Sequence, residues 1–296
     1  MVNTDLTPLS RKVRCRRIED TDAERVVSLL TRGFALPRRF WEDVIAYLAT
    51  RALPAGAPRF GLLLESDGAT VGAILQIFSS LPASEGVPAT LRCNVSSWYV
   101  DPEFRSYAPL LVAQATKQKG VTYLNVSAAP HTRPIVEAQG YRRYADGVFV
   151  TLPFLSGTYL GIPLRIIPGE VPPQAPCGSY ERDLLKDHAA RGCVSLWCET
   201  AERAYPFVFR TRWVKSFIPC EQLIYCRDVD DFVRFARPLG RYLARRGRPL
   251  LILDANGPVS GLRGKYFSNT KPKYFKGPVR PRLGDLAYTE TAFFGV

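Results

Sequence analysis

The sequence predicts an α/β protein made of two halves, each a mixed central β-sheet flanked by helices. Three observations predict it. Short β-rich runs alternate with segments whose apolar residues recur at helical spacing. Residues 157–178, "GTYLGIPLRIIPGEVPPQAPCG", hold five prolines and four glycines and read as a linker. Beyond that linker the alternation begins again, so the expected halves are 1–160 and 161–296.

The composition fits a folded chain of this kind. Of 296 residues, 46% are hydrophobic and 23% charged, which excludes a mostly disordered protein. No stretch approaches the roughly 20 apolar residues that span a bilayer. The start, "MVNTDLTPLSRKVRCRR", has no apolar core of the secretory-signal kind, so a cytoplasmic location is expected. Seven cysteines lie at 15, 93, 177, 193, 198, 220 and 226 without a CxxC, and the histidines are only His131 and His188. No metal site is expected from so few ligands. The thiols read as small packed apolar groups, with Cys193/Cys198 and Cys220/Cys226 as the pairs to consider. A net charge of +13 implies an anionic partner. Nucleic acid, a phosphate-bearing cofactor, an anionic polysaccharide precursor and an acidic membrane surface all satisfy it.

In the first half, "RCRRIEDTDAERVVSLLTRGF" reads as a short strand and a helix capped near Asp20 or Thr21, with Val26, Val27, Leu29 and Leu30 on its apolar side. A second helix covers about 38–51 through Phe40, Trp41, Val44, Ile45 and Leu48. Two β-rich runs around Ser66-Asp67-Gly68 form a hairpin. "LRCNVSSWYV" is a further strand, followed by the turn "DPEFRSYAPLL", a helix, and the strand 121–127. A short helix ending at Gly140 and the strand "GVFVTLPFL" complete the half. In the second half the pattern predicts helix 180–191, strands 193–199, 205–213 and 220–227, helix 230–246, strand 249–254 and a last strand, "LAYTETAFF".

The two halves also echo one another. "FRSYAPLL" (104–111) and "VRFARPLG" (233–240) align on Arg105/Arg234, Pro109/Pro238 and Leu110/Leu239. Each follows a β-run and an acidic turn and precedes a helix ending at glycine, Gly120 or Gly247. The shared order of elements points to a duplicated fold.

The stretches "WYVDPEFRSYAPLL", "YLNVSAA" and "IVEAQGYRRY" carry a resemblance. Over roughly residues 12–155 the first half resembles the GNAT acyltransferase superfamily. The first stretch is similar to that family's V-x-P-x-x-R-x-x-G-x-G/A cofactor turn, the second to the strand after it, and the third to its late helix. The second half looks like a diverged copy, as in Fem-type aminoacyl transferases and N-myristoyl transferases. The resemblance implies that backbone N–H groups at the helix start, around Val100, Phe104, Arg105, Ser106, Tyr107 and Ala108, hold the pyrophosphate of acetyl-CoA or another acyl-CoA. A helix N-terminus suits that charge. Ala108 stands where the family has its first glycine, Leu110 where it has its last small residue, and Pro109 removes one N–H.

The resemblance further implies that an amine or hydroxyl attacks the thioester between two splayed strands. Their polar residues here are Ser96, Ser97, Asn125 and Ser127. The first of these strands carries no carboxylate as general base, and Val136 occupies the position of the family's tyrosine acid. His131, at the mouth of the strand, is the nearby side chain with a suitable pKa for proton transfer. The candidate catalytic residues are therefore His131, Asn125 and Ser97.

Two basic features mark the second half. Arg234, Arg237, Arg241, Arg245 and Arg248 form a stripe along helix 230–246, read as a solvated face or a docking surface. "GLRGKYFSNTKPKYFKGPVRPR" (261–282) has seven basic residues and no acid, interleaved with Tyr266, Phe267, Tyr274 and Phe275. It reads as a mobile loop over a ligand site, with Lys265, Tyr266, Lys271 and Lys273 holding a polar, anionic acceptor. The expected function is transfer of an acyl group, acetyl in the simplest case, from CoA to an amine or hydroxyl of such an acceptor. The alternative is a catalytically inactive binding module whose basic aromatic loop binds nucleic acid or another polyanion, stacking bases on its rings. A transferase using aminoacyl-tRNA is a third reading.

Overall fold

Asp67 and Gly68 turn the chain with φ of +49° and +81°, the pair of left-handed residues that a tight two-residue hairpin needs. They join β2 and β3 of the computed structural model of the chain, which describes residues 12–83, 89–156, 161, 163–214 and 218–295. In chain order its elements are β1 (Val13–Arg17), α1 (Ala23–Gly33), α2 (Arg38–Thr50), β2 (Gly61–Ser66), β3 (Ala69–Leu81), β4 (Thr90–Val100) and α3 (Ala108–Ala115). Then follow β5 (Val121–Asn125), α4 (Arg133–Ala138), β6 (Arg142–Thr151), β7 (Arg165–Pro168), α5 (Ser179–Ala189), β8 (Val194–Glu199) and β9 (Ala204–Val214). The chain ends with β10 (Ile218–Cys226), α6 (Val229–Ala244), β11 (Leu250–Ala255), β12 (Gly264–Lys276) and α7 (Glu290–Phe293). No helix among the described residues is long and apolar enough to cross a membrane.

The chain forms two compact units, one of residues 1–79 and 95–119 and one of 80–94 and 120–296. Strand β4 passes from the second to the first at Val95. The first unit holds the order β1–β2–β3–β4. Its α1 and α2 bury the expected apolar faces, with Val26, Leu29, Leu30 and Leu48 fully enclosed. The start of α1 is fixed by Asp22 rather than by Asp20 or Thr21. Its carboxylate accepts from the Glu19 N–H at 2.9 Å and from Arg16 at 2.5 and 2.9 Å, and also pairs with Arg25. Those arginine hydrogen bonds hold the Asp22 carboxyl well below the usual range.

The second unit has the order β4–β5–β12–β6–β11–β10–β9–β8–β7. Pairing is parallel at β4/β5 and β10/β11 and antiparallel in its other recorded pairs. Reading outward from the central β12/β6 pair, β5 answers β11 and β4 answers β10. The last strand of each half is exchanged, since β12 lies between β5 and β6, and β6 lies between β12 and β11. The halves 1–160 and 161–296 therefore do not coincide with the compact units. Phe207, Phe209, Phe232, Phe235 and Leu239 lead a core that α6 closes over β8–β11. Gly240 lets α6 touch the chain at Pro153–Phe154, where a Cβ would stand 2.3 Å from the Phe154 nitrogen.

Four expectations are corrected. The linker 157–178 contains β7, paired from Arg165↔Glu199 to Pro168↔Leu196, while its residues 157–160 and 162 lie outside the described ones. Segment 261–282 is mainly the thirteen-residue strand β12, not a mobile loop. Its glycine, proline and lysines suggest a loop, but the non-ladder residues gather in one bulge between Ser268 and Lys273, where Asn269 and Lys271 have φ of +54° and +50°. "LAYTETAFF" ends in the short helix α7, because side chains satisfy its backbone: Asn94 accepts from Glu290 N–H at 2.7 Å and His188 from Tyr288 N–H at 3.2 Å. Finally, "VRFARPLG" lies inside α6, which runs unbroken through Pro238, so it is no counterpart of a helix-start turn. All seven cysteines are free, and Cys93, Cys193, Cys198, Cys220 and Cys226 are buried.

Candidate functional site

In the first unit, β4 kinks at Ser97, whose φ is +51°, and the Ser96 and Ser97 hydroxyls lie 3.0 Å apart. The kink follows directly on the parallel pairing of β4 with β5, recorded from Leu91↔Val121 to Asn94↔Leu124. Val100 ends the strand buried, and Asp101 N–H donates to Val71 O at 2.8 Å. Pro102–Tyr107 then form a tight 3-10 turn that runs into α3. Phe104 N–H donates back to Asp101 O at 2.9 Å. No side chain caps α3, its first turn holds no acid, and Arg105 and Ser106 are exposed beside it. The Ala108 N–H donates to Arg105 O and Pro109 has none, so the positive character of this helix start rests on its dipole and on the exposed Arg105.

The corresponding start of α6 is built differently. The Asp228 carboxylate accepts from Asp230 N–H at 2.9 Å, and Asp230 and Asp231 add two acids to the first turn. Those charges oppose an anion at this end. Strand β10 pairs in parallel with β11 only from Cys220↔Leu250 to Gln222↔Ile252. Past that point the chain's own residues 284–286 lie along it, with Cys226 N–H donating to Gly284 O at 2.9 Å and Leu286 N–H to Ile224 O at 2.7 Å. Gly284 is held there at φ +75°, and a Cβ would stand 2.6 Å from the Cys226 sulfur.

The end of β5, in the second unit, gathers the reactive groups. Asn94, at the last paired position of β4, donates to Leu124 O at 3.3 Å and accepts from Glu290 N–H. Glu290 is 2% exposed, and its carboxylate accepts from the Ser127 hydroxyl at 2.6 Å. Ser127 itself is exposed and lines a cavity of about 310 Å3 with Pro130, Arg133, Arg212, Lys271 and Lys273. Lys273 is buried, donates to Val126 O at 2.5 Å, and feels the buried Asp254 carboxylate. Burial pulls the Lys273 ammonium below its ordinary value. Partial burial, with Arg212 and Lys273 beside it, does the same to Lys271. Four cations line one small cavity, and burial depresses the pKa of three of them, Arg212, Lys271 and Lys273, so the cavity favours an anionic occupant.

No protein-family model and no curated protein matches the chain. Among solved structures it is similar to a GCN5-related N-acetyltransferase from Kribbella flavida, at 13% identity, with 90% of this chain and 71% of that chain covered and a TM-score of 0.55. A GCN5-related N-acetyltransferase from Anabaena variabilis is 9% identical, with 89% and 72% covered and a TM-score of 0.58. Eis1 from Mycobacterium abscessus is 13% identical, with 93% and 74% covered and a TM-score of 0.53. The chain has the GNAT fold.

Within this GNAT fold the expected acceptor residues separate. Lys271 and Lys273 come together with Ser127 at the end of β5. Lys265 and Tyr266 instead pair with Val150 and Phe149 of β6; Lys265 lies 5.5 Å over the Phe267 ring, and Tyr266 packs on the core. Asn125 is partly buried and pairs with Tyr274. His131 is exposed on the 3-10 turn Pro130–Thr132. Ser97 and the turn Phe104–Ala108 belong to the first unit.

Of the four aromatics in 261–282, Tyr274 and Phe275 are buried and Tyr266 is against the core, so they offer no stacking row for bases. Along α6, Arg237, Arg241 and Arg245 are exposed, whereas Arg248 reaches the buried Glu221 at 2.9 Å and Arg234 lies over Tyr205. Sequence reasoning missed Asn94, Arg212 and Glu290. No local pattern marks Glu290, which comes from 163 positions beyond Ser127.

Proposed function

We propose that this GNAT-fold protein is a cytoplasmic acyltransferase, moving an acetyl or longer acyl group from CoA to the amine of a small anionic acceptor. The observation that carries the reading is the Ser127–Glu290 hydrogen bond at the rim of a four-cation cavity at the end of β5. Acyl-CoA supplies a thioester already activated toward attack. Arg133, Arg212 and Lys271 hold the acceptor's carboxylate or phosphate and so orient its amine, with the buried Lys273 adding its field, and orientation provides much of the rate. As the N–C bond forms and the C–S bond breaks, the amine proton passes to the Ser127 oxygen while the Ser127 hydroxyl proton passes to Glu290. Glu290 thus supplies the carboxylate base that β4 itself lacks.

The start of α3 is the proposed place for the CoA pyrophosphate, with Arg105 beside it. The reading takes the halves as diverged tandem copies, supported by the mirrored strand order. One copy only would take acyl-CoA, since Asp228 caps α6 and residues 284–286 run along β10.

The test is calorimetry of the full chain with acetyl-CoA and longer acyl-CoA, and thiol release with amines carrying a carboxylate or phosphate. One thioester bound per chain and acceptor-dependent thiol release are expected. Absence of any CoA-thioester binding at high micromolar concentration overturns the reading.

A further inference from the structure

A second and larger cavity, of about 750 Å3, lies wholly within the second unit and shares no lining residue with the cavity at Ser127. It opens between the β8–β9 turn, the start of α5, the end of β10 and the chain that follows β12. Its size is that of a small-molecule site.

The polar groups of this wall are unbalanced toward donors. Five arginines line it against three carboxylates. The two buried carboxylates are already taken: Asp285 pairs with Arg92 at 3.0 Å and Arg282 at 3.5 Å, and Glu181 receives two hydrogen bonds from Arg227 at 2.8 and 2.6 Å. The third, Glu202, is exposed. Arg203 and Arg280 have no ion pair among the described residues. Two buried groups are left without any partner, the second terminal nitrogen of Arg227 and the Tyr180 hydroxyl. A buried donor without a partner costs about 1–3 kcal/mol, more when charged, unless something accepts from it. Leu81, Pro82, Val279 and Pro281 give the wall an apolar part.

We propose that this cavity binds an amphipathic oxyanion, an apolar body ending in a carboxylate or phosphate. Arg227 and Tyr180 donate to the head group, Arg203 and Arg280 supply the unneutralised charge, and the body lies against Leu81, Pro82, Val279 and Pro281. The site is separate from acyl transfer and does not depend on that reading.

The experiment is calorimetry of the full chain with octanoate, octyl phosphate and, as the uncharged control, octanol. One anion per chain is expected, with octanol at least about tenfold weaker, as the loss of a charge-assisted hydrogen bond requires. The tighter of octanoate and octyl phosphate identifies the head group. Tyr180→Phe, which keeps the ring and the fold, and Arg280→Ala, at an unpaired arginine, are each expected to weaken the anion about fivefold or more. Ser127→Ala and Arg105→Glu leave its affinity unchanged. Octanol binding as tightly as either anion overturns the proposal. So does binding of neither anion, or anion affinity that neither Tyr180→Phe nor Arg280→Ala alters.

Discussion

Ser127 and Glu290, 163 positions apart, share a hydrogen bond of 2.6 Å, and Asn94 fixes the Glu290 backbone on the other side at 2.7 Å. If this pair moves the proton of the acceptor amine, Ser127→Ala and Glu290→Gln each lower kcat by roughly 10²-fold or more. The KM for acyl-CoA stays unchanged in both. Steady-state kinetics with a carboxylate-bearing amine checks this, and wild-type rates in both variants remove the pair from the chemistry.

The two helix starts should respond oppositely to charge. Arg105→Glu places an acid beside the uncapped start of α3 and is expected to weaken acyl-CoA at least tenfold, the scale of one charge-assisted contact. Asp228→Ala removes the cap of α6, costing about 1 kcal/mol of stability without creating a second CoA site. Titration calorimetry should read one site per chain in both the wild type and Asp228→Ala; two sites in either would contradict the assignment.

Lys271 and Lys273 share a cavity but not a role. Lys273→Met leaves Asp254 buried without its closest cation and should cost about 3 kcal/mol in denaturant melts. Lys271→Met, in the β12 bulge, should cost less than about 1 kcal/mol while raising the KM for an anionic acceptor. Equal effects on stability would dissolve the distinction.

Stability should also depend on His188. Its ring N–H donates to Leu184 O at 2.7 Å and its other nitrogen accepts from Tyr288 N–H, so the neutral form is the one built in. Burial pushes its pKa down to about 4, with Arg92 and Arg210 acting the same way and Asp285 opposing them. The unfolded chain therefore binds the extra proton first. The contribution is whole above about pH 6.5 and fades as the pH falls toward 4, by about 3 kcal/mol at most. His188→Gln should flatten that part of the pH–stability curve; an unchanged slope would point to another group.

Much of the fold was legible because its cues are local. The Asp67-Gly68 turn, the apolar stripes of α1 and α2, and the ends of the helical segments before Gly120 and Gly140 follow from residues within a few positions of one another. The site was legible only in part. Ser127, Lys271 and Lys273 stood out by type, but nothing near Glu290 or Asn94 announces a partnership that exists only after the chain has returned to β5. Strand β12 reads as a loop because its proline and lysines serve a bulge and a buried ammonium that donates to Val126 O, both of which depend on β5 and β6. Compositional cues describe a residue's own preference, whereas these roles are assigned by distant neighbours.

The exchange of β6 and β12 has a consequence for the making of the protein. While the first half is being synthesised, β5 and β6 have a vacant lane between them, and the strand that fills it is made only after β7–β11. More than a hundred residues separate β6 from β12, which at ordinary translation speeds is a wait on the order of ten seconds. During that interval the edges of β5 and β6 that face β12 stand open to other chains, and β6 also awaits β11 on its other side. Completion of this sheet therefore waits on one insertion, and slow synthesis leaves both halves unfinished together.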